Sequence, residues 1–261
     1  MTEDGRGILY PTRLPTFHRV PAPAGLAGLV RWFWIPRWDL APGRSSRQEL
    51  LPFPASNLVV QPEGVSLSGP TTGASHRDLR GRGWAVGALL RPGGLASLCE
   101  EPQRLRGTET PFAAPELHRE TVLAMTEPDE TAGRARAVES FVRWASEHLT
   151  PVDESGALAN AMEELIATDP SIVRVEQIGP VLGLSMRSVQ RLARRYIGLT
   201  PLAVIRRYRL QEAAQRLRDD PSVTIAQVAA DLGYADHAHL TTDFRTVLGL
   251  TPNRYRASGL S

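Results

Sequence analysis

The chain has 261 residues, 42% of them apolar and 22% charged, with a formal charge of +2. This is ordinary globular usage: it excludes wholesale disorder and a collagen-like fibre, and the length suits one or two domains. The single cysteine, Cys99, excludes an internal disulfide and fits a reducing cytoplasm, and the longest apolar runs fall far short of the ~20 residues a membrane span needs.

The N-terminus, MTEDGRGILYPTRLP, has early acids and no apolar stretch, so no signal peptide is expected. Residues 1–115 hold 14 Pro and 14 Gly, too much punctuation for long helices. Their apolar pieces are short: LAGLVRWFWI, ELLPFPASNLVV, VSLSG and WAVGALL. They predict short strands in a β-rich domain, either a barrel or a sandwich. Trp32 and Trp34 flank Phe33 as on a strand covered on both faces. The Trp-rich stretch suggests that Trp34, Trp38, His76 and Trp84 line an apolar effector pocket, against the plainer reading of core aromatics.

Only His18 and His76 are available in this part, and no His-x-His lies near a Glu, so neither a metal site nor a cofactor is expected. The Gly93-Gly94 pair in RPGG lacks the Lys-Ser/Thr of a phosphate loop and reads as a tight turn. Cys99 could in principle accept an alkyl group from damaged DNA. It is followed by Glu100 and Glu101, however, and lacks the cationic neighbours an activated thiolate needs, so no enzyme activity is expected.

After Pro115 the pattern becomes helical. Val138, Phe141, Val142, Ala145 and Leu149 fall on one face of a helix over 131–149, with Arg134, Arg136, Glu139, Arg143 and Glu147 opposite. So regular a stripe needs a partner surface, either the chain's own β-domain or a second copy in a homodimer, with neither favoured by the pattern itself. His118 and His148 are placed on solvated or partly packed helix faces. Domains are expected at 1–150 and 157–261, with a linker at 151–156.

The charge is unevenly spread. Residues 171–261 hold 13 Arg and 7 acids, a balance of +6, against −4 for residues 1–170. The chain has no Lys, so every long cation is a guanidinium fork suited to phosphates and guanine edges. The basic third also repeats itself. IGPVLGLSMRSVQRLARRYIGLTP (178–201) is echoed by VAADLGYADHAHLTTDFRTVLGLTP (228–252), with one extra residue in the second turn.

In each unit a short helix stops at Gly183 or Gly233, and a second begins after Ser185 or Asp236. This predicts two helix-turn-helix units, about 174–197 and 224–248. In the first, Val189, Leu192, Ala193 and Tyr196 turn inward and leave Arg187, Gln190, Arg191 and Arg194 outside. In the second, Leu240, Phe244, Val247 and Leu248 turn inward, with His237, Thr241 and Arg245 outside. His237 and His239, at i and i+2 on a helix, diverge too far to share a metal. Thr200 and Pro201 open a connecting helix over 201–219, roughly 28 Å long at ~1.5 Å per residue. That approaches the ~34 Å turn separating successive major-groove faces.

These residues resemble the AraC/XylS-type bacterial transcription regulators. The resemblance rests on RLQEAAQRLRDDPSVTIAQVAADLGYADHAHLTTDFRTVLGLTPNRYR (209–256). Here Arg209-Leu210 with Ala213, the stretch from Ile225 to Tyr234, and the closing Gly249 to Arg256 match the family pattern. It implies an α+β two-domain protein with a cupin-like N-terminal barrel or sandwich and an all-α, double helix-turn-helix C-terminal domain, and it slightly favours a dimer paired through the 131–149 stripe. Its partners would be double-stranded promoter DNA, a small-molecule effector and RNA polymerase.

The resemblance places base reading on Arg187, Gln190 and Arg191, then on His237, Ala238 and Thr242, with Ser188 and Thr241 beside them. Backbone contacts fall on Arg194, Arg195, Arg245 and Arg254. The family's usual Arg in the second reading helix is here Thr242 and its Ser is Ala238, so the first unit is expected to dominate specificity. Gly179-Pro180 falls inside the first short helix, where a proline is expected to kink it. A rival reading keeps the fold but makes the chain an interaction protein that no longer reads DNA.

Overall fold

The computed structural model describes residues 16–259; the N-terminal leader expectation lies outside them. Strands are β1 (Thr16–Pro21), β2 (Val30–Asp39), β3 (Ser45–Leu50), β4 (Asn57–Gln61), β5 (Gly64–Ser68), β6 (Ser75–Arg80), β7 (Arg82–Trp84), β8 (Val86–Leu90) and β9 (Glu109–Pro111). The main sheet runs β1-β2-β8-β4-β5-β9, with β7 also on β2, while β3 and β6 form a separate two-stranded ribbon. All pairings are antiparallel. Among the described residues the ladder ends at β1 and β9 without closing. The open, layered form is therefore compatible with the fold, and a closed barrel is not.

The apolar pieces do become strands, with one exception. ELLPFPASNLVV is cut in two, because Pro52 and Pro54 cannot donate to a ladder, and residues 51–56 leave the sheet as a loop. RPGG opens the short helix α1 (Pro92–Ala96) rather than forming a tight turn. A Cβ on Gly94 would lie 2.0 Å from the Leu29 carbonyl oxygen, so that close approach is what the glycine allows.

Helices α2 (Pro115–Met125) and α3 (Glu130–His148) cover the sheet. Asp129 caps α3, accepting from the N–H groups of Thr131 and Ala132. Its stripe is buried in its own domain: Val138, Phe141, Ala145 and Leu149 share one core with Phe33, Ile35 and Leu58. The Phe141 ring lies 5.8 Å from that of Phe33. The slightly favoured dimer role for this face is thus corrected, because the chain's own β-domain is its partner surface.

The C-terminal part comprises α4 (Glu154–Thr168), α5 (Ile178–Leu182), α6 (Met186–Leu192), α7 (Pro201–Asp219), α8 (Ile225–Asp231), α9 (His237–Leu248) and α10 (Pro252–Gly259). Helix α4 starts inside the stretch read as a linker. The Asp153 carboxylate caps it, accepting from the Gly156 N–H at 2.6 Å, and a Cβ on Gly156 would crowd that carboxylate and the Val152 side chain. Pro180 leaves no kink penalty: it is the third residue of α5, and first-turn N–H groups have no intrahelical acceptor. Two further cores form here. Ile166, Val189, Leu192, Tyr196 and Ile205 pack around the first unit, and Leu217, Val228, Leu240, Phe244 and Tyr255 around the second.

Candidate nucleic-acid interface

In the first unit α5 ends at Gly183 with φ 65°, the left-handed conformation that reverses the chain between the two helices. The Ser185 hydroxyl then caps α6, accepting from the Ser188 N–H at 3.2 Å. Val189 and Leu192 are buried, and the opposite face presents Arg187, Gln190 and Arg191 to solvent. Ser188 is half-buried, and its hydroxyl lies 3.0 Å from that of Ser185, so it belongs to the cap more than to the reading face. A π turn, Ala193–Ile197, continues α6 and holds Arg194 and Arg195 outward before Gly198 ends it at φ 81°.

The second unit is built the same way. Thr224 and Gln227 form a capping box at α8, Gly233 has φ 64°, and the Asp236 carboxylate accepts from the His239 N–H at 2.7 Å to open α9. His237, Ala238, Thr242 and Arg245 are exposed and Thr241 is half-buried. The Thr242 hydroxyl donates to the Ala238 carbonyl at 2.9 Å, which occupies its proton within the helix. Arg254 is exposed on α10. His239 turns its ring edge-on to Tyr234, while His237 stands at the head of the helix, so the pair does not converge on a common point.

The arginines of this region divide into two groups. Arg216 is paired with Glu212 and Asp231, Arg218 donates to the Tyr255 hydroxyl, and Arg256 donates to the Pro221 and Val223 carbonyls. Among the described residues Arg187, Arg191, Arg194 and Arg245 have no carboxylate partner and point to solvent. Arg209 on α7 lies 4.0 Å over the Tyr234 ring. Burial, reinforced by Asp243, raises the Tyr234 hydroxyl well above the ordinary phenol range, so it stays a proton donor to Asp243 at 3.0 Å. This contact ties the second turn to α9.

The four proposed effector residues do not share one face of the sheet. The Trp34 Nε1–H donates to Asn57 at 2.9 Å and its ring lies across Gly87; Trp38 lies across Gly83. Trp84 pairs in register with Arg37, on the face opposite Trp34 and Trp38, and packs against the main core. His76 is exposed on the β3–β6 ribbon. Cys99 is half-buried against the main core. His118 rests its ring nitrogen 3.1 Å from the carbonyls of Gln61 and Pro62, and His148 stacks on Trp144.

Contacts that the sequence did not announce join the two parts of the chain. Arg31 on β2 donates through one guanidinium nitrogen to Glu163 at 2.5 Å and to Glu164 at 2.8 Å, both on α4. Glu163 in turn accepts from the Tyr208 hydroxyl on α7, and Glu164 accepts from Arg91 at 2.9 Å. Burial alone would lower the Arg31 pKa, but the Glu163 charge beside it, with Tyr208 and Glu164, leaves it raised above the ordinary guanidinium value. Arg31 and Glu163 are 132 residues apart, so no local pattern could have paired them.

Comparison with known proteins places these features. Residues 180–258 match a helix-turn-helix domain family, and residues 18–108 match a domain of unknown function. The transcriptional activator RhaS of Escherichia fergusonii is 38% identical over 82 residues, which cover 31% of this chain and 29% of that protein. An AraC-like transcription regulator of Streptomyces lividans is 31% identical over 112 residues, 39% of this chain and 36% of that one. The chain thus spans about a third of the length of the curated relatives it matches. The crystal structure of ToxT from Vibrio cholerae O395 superposes with a TM-score of 0.46 at 12% identity, over 86% of this chain and 97% of that one. The segment matched by the family model contains the closing motif and most of both repeat units. The C-terminal part of this chain, residues 180–258, matches the helix-turn-helix domain family and is similar to the AraC-like regulators.

Proposed function

We propose that the chain is a sequence-specific regulator of transcription that binds double-stranded promoter DNA through α6 and α9. One observation carries this reading: both helices bury one face in their own unit and leave the other to solvent, and the single rigid helix α7 joins the units. Arg187, Gln190 and Arg191 read bases, aided by His237, Ala238, Thr241 and Thr242, with Ser188 fixing the cap beneath them. Arg194, Arg195, Arg245 and Arg254 neutralise phosphates. Residues 1–150 act as the sensing part and 157–261 as the DNA-binding part, and an effector or partner acts by changing how the two are arranged.

Action in the cytoplasm, on the nucleoid, fits this role, and among the described residues no helix is long and apolar enough to cross a membrane. A homodimer or a contact with RNA polymerase would need a surface other than the covered face of α3. The reading is tested by selecting duplexes from a random-sequence pool with the purified chain. Recovery of a common motif spanning successive major grooves is the expected result, and recovery of none would overturn it. The alkyl-acceptor alternative predicts mass added at Cys99 after exposure to alkylated DNA; an unmodified Cys99 is the expected outcome.

A further inference from the structure

We propose that the N-terminal domain sets the relative placement of the two reading units through one junction on α4 and α7, with Glu163 as its positioning residue. The proposal rests on the DNA-reading role above and deepens it.

The junction has two parts. The first is a polar bridge. Glu163 is buried, and its two carboxylate oxygens serve two different bodies: one accepts from Arg31 of the N-terminal sheet, the other from Tyr208 in the middle of α7. One turn earlier on α4, the Asn160 side chain donates to the Gly28 carbonyl at 2.7 Å and accepts from the Gly93 N–H at 2.8 Å. The neighbouring Met162 and Ile166 pack in the core that also holds Val189 and Leu192, the buried face of α6. A shift of Arg31 is therefore felt at once by the first reading helix and by the helix that carries the second.

The second part is a wedge. The loop after β3 sends three consecutive residues to both units. Leu51 is buried in the core of the second unit. The Pro52 carbonyl accepts from the buried Gln211 of α7 at 2.8 Å. Phe53 packs against the first unit's core, edge-on to Tyr208 at 5.8 Å and to Trp32 at 6.3 Å. A backbone bond from the Ala74 N–H to the Val247 carbonyl, 2.9 Å, fastens the same ribbon to the end of α9. The N-terminal domain thus touches each unit separately and lies across the helix between them. None of these contacts covers Arg187, Gln190, Arg191, His237 or Thr242, all of which stay exposed. The junction aligns the reading faces and does not block them.

Alignment matters only when both grooves are engaged, and that gives the test. The full-length chain and its variants Arg31→Met, Glu163→Gln, Arg31→Met/Glu163→Gln and Leu51→Ala are titrated with two duplexes. One is the sequence selected by the wild type; the other is shortened to the groove read by α6. Amide hydrogen exchange of 28–31 and 157–164 is followed without DNA. The single variants should weaken the long duplex about tenfold, the ordinary size of a coupling between sites, and leave the short one within about twofold. The double variant should lose less than the two singles combined, because both remove the Arg31–Glu163 link while each also removes a contact of its own. Exchange should rise on both sides of the junction in each.

Equal losses on both duplexes, or additive losses with unchanged exchange, would overturn the proposal. Should Glu163→Gln fail to fold, Tyr208→Phe removes one arm of the bridge and must reproduce the long-over-short loss. A wild type that selects no sequence refutes DNA reading itself. That outcome is distinguishable from failure of the junction alone, where the wild type selects its motif and the variants bind it unchanged.

Discussion

Arg187 and Arg191 stand one turn apart on the exposed face of α6, and each offers the planar fork that matches a guanine edge or a phosphate. Replacing either with Ala should cost about 1–3 kcal/mol on the selected duplex, measured by titration. Thr242→Ala should cost less, since its hydroxyl already donates to the Ala238 carbonyl. A ranking with Thr242 or His237 above both arginines would show that the second unit leads. Asp220 governs stability at the same scale. Its carboxylate accepts from the N–H and hydroxyl of Ser222 at 2.8 and 2.6 Å, and those bonds hold it below the ordinary carboxylate value of 3.8. A depressed native value means stabilisation that is present above the unfolded value and lost as pH falls through the native one. Asp220→Ala should therefore melt earlier than wild type at pH 7, and the gap should close below about pH 4. A gap independent of pH would assign the effect to the turn's backbone alone. The cap residues Ser185, Thr200 and Asp236 were legible because capping is local chemistry. The Ser188 hydroxyl, 3.0 Å from that of Ser185, lies beside the cap, a placement that only the folded turn brings about.

Elements were legible where their burial is one-sided and periodic. The α3 stripe, the two repeat units and the alternating strand β5 fall in this class, while β4 and β8 were legible as short runs that are apolar throughout. The ribbon of β3, SSRQEL, and β6, SHRDLR, does not: most of its described side chains are exposed or half-buried, so no alternation marks it. What α3 packs against was not legible either, because a stripe states that a partner exists and not which. Phe141 is 1% exposed beneath the sheet, so Phe141→Glu should cost several kcal/mol and unfold the N-terminal domain. A folded variant with only a lowered sedimentation coefficient would return the face to a dimer. Gly198 makes a second element-scale prediction. Its φ of 81° is left-handed, and a Cβ there would lie 2.5 Å from the Pro102 backbone. Gly198→Ala should cost at least ~1 kcal/mol of strain and also loosen the first unit from the N-terminal domain. Thermal melting with hydrogen exchange at 102–105 would read both effects.

At the scale of the whole molecule the decisive quantity is how charge is divided. The net +2 would suggest a weak polyanion binder, yet residues 171–261 carry +6 and the remainder −4. The structure keeps those signs apart by different means. Acids of the N-terminal part are tied to arginines of that part, as Glu130 is to the half-buried Arg37 and Asp78 to the exposed Arg47, and such pairs screen one another at close range. In the C-terminal part Arg216 is neutralised internally, while Arg187, Arg191, Arg194, Arg195, Arg245 and Arg254 are exposed around the reading helices. Beyond a Debye length of about 8–10 Å the N-terminal acids contribute little repulsion. Binding should therefore follow the local charge and not the net one. If the four phosphate-facing arginines, Arg194, Arg195, Arg245 and Arg254, each displace a counterion, log affinity of the chain should fall against log salt with a slope of about −4. Replacing Arg194 and Arg195 together with Ala should reduce that slope by about 2 and weaken selected and unselected duplexes alike. Arg187→Ala should instead weaken mainly the selected one, because a base contact carries the sequence information that a phosphate contact lacks. A slope near −2 in the wild type, matching the net charge, would show that the acidic domain lies close enough to the DNA to cancel the basic face. The exposed reading arginines would then be engaged one unit at a time.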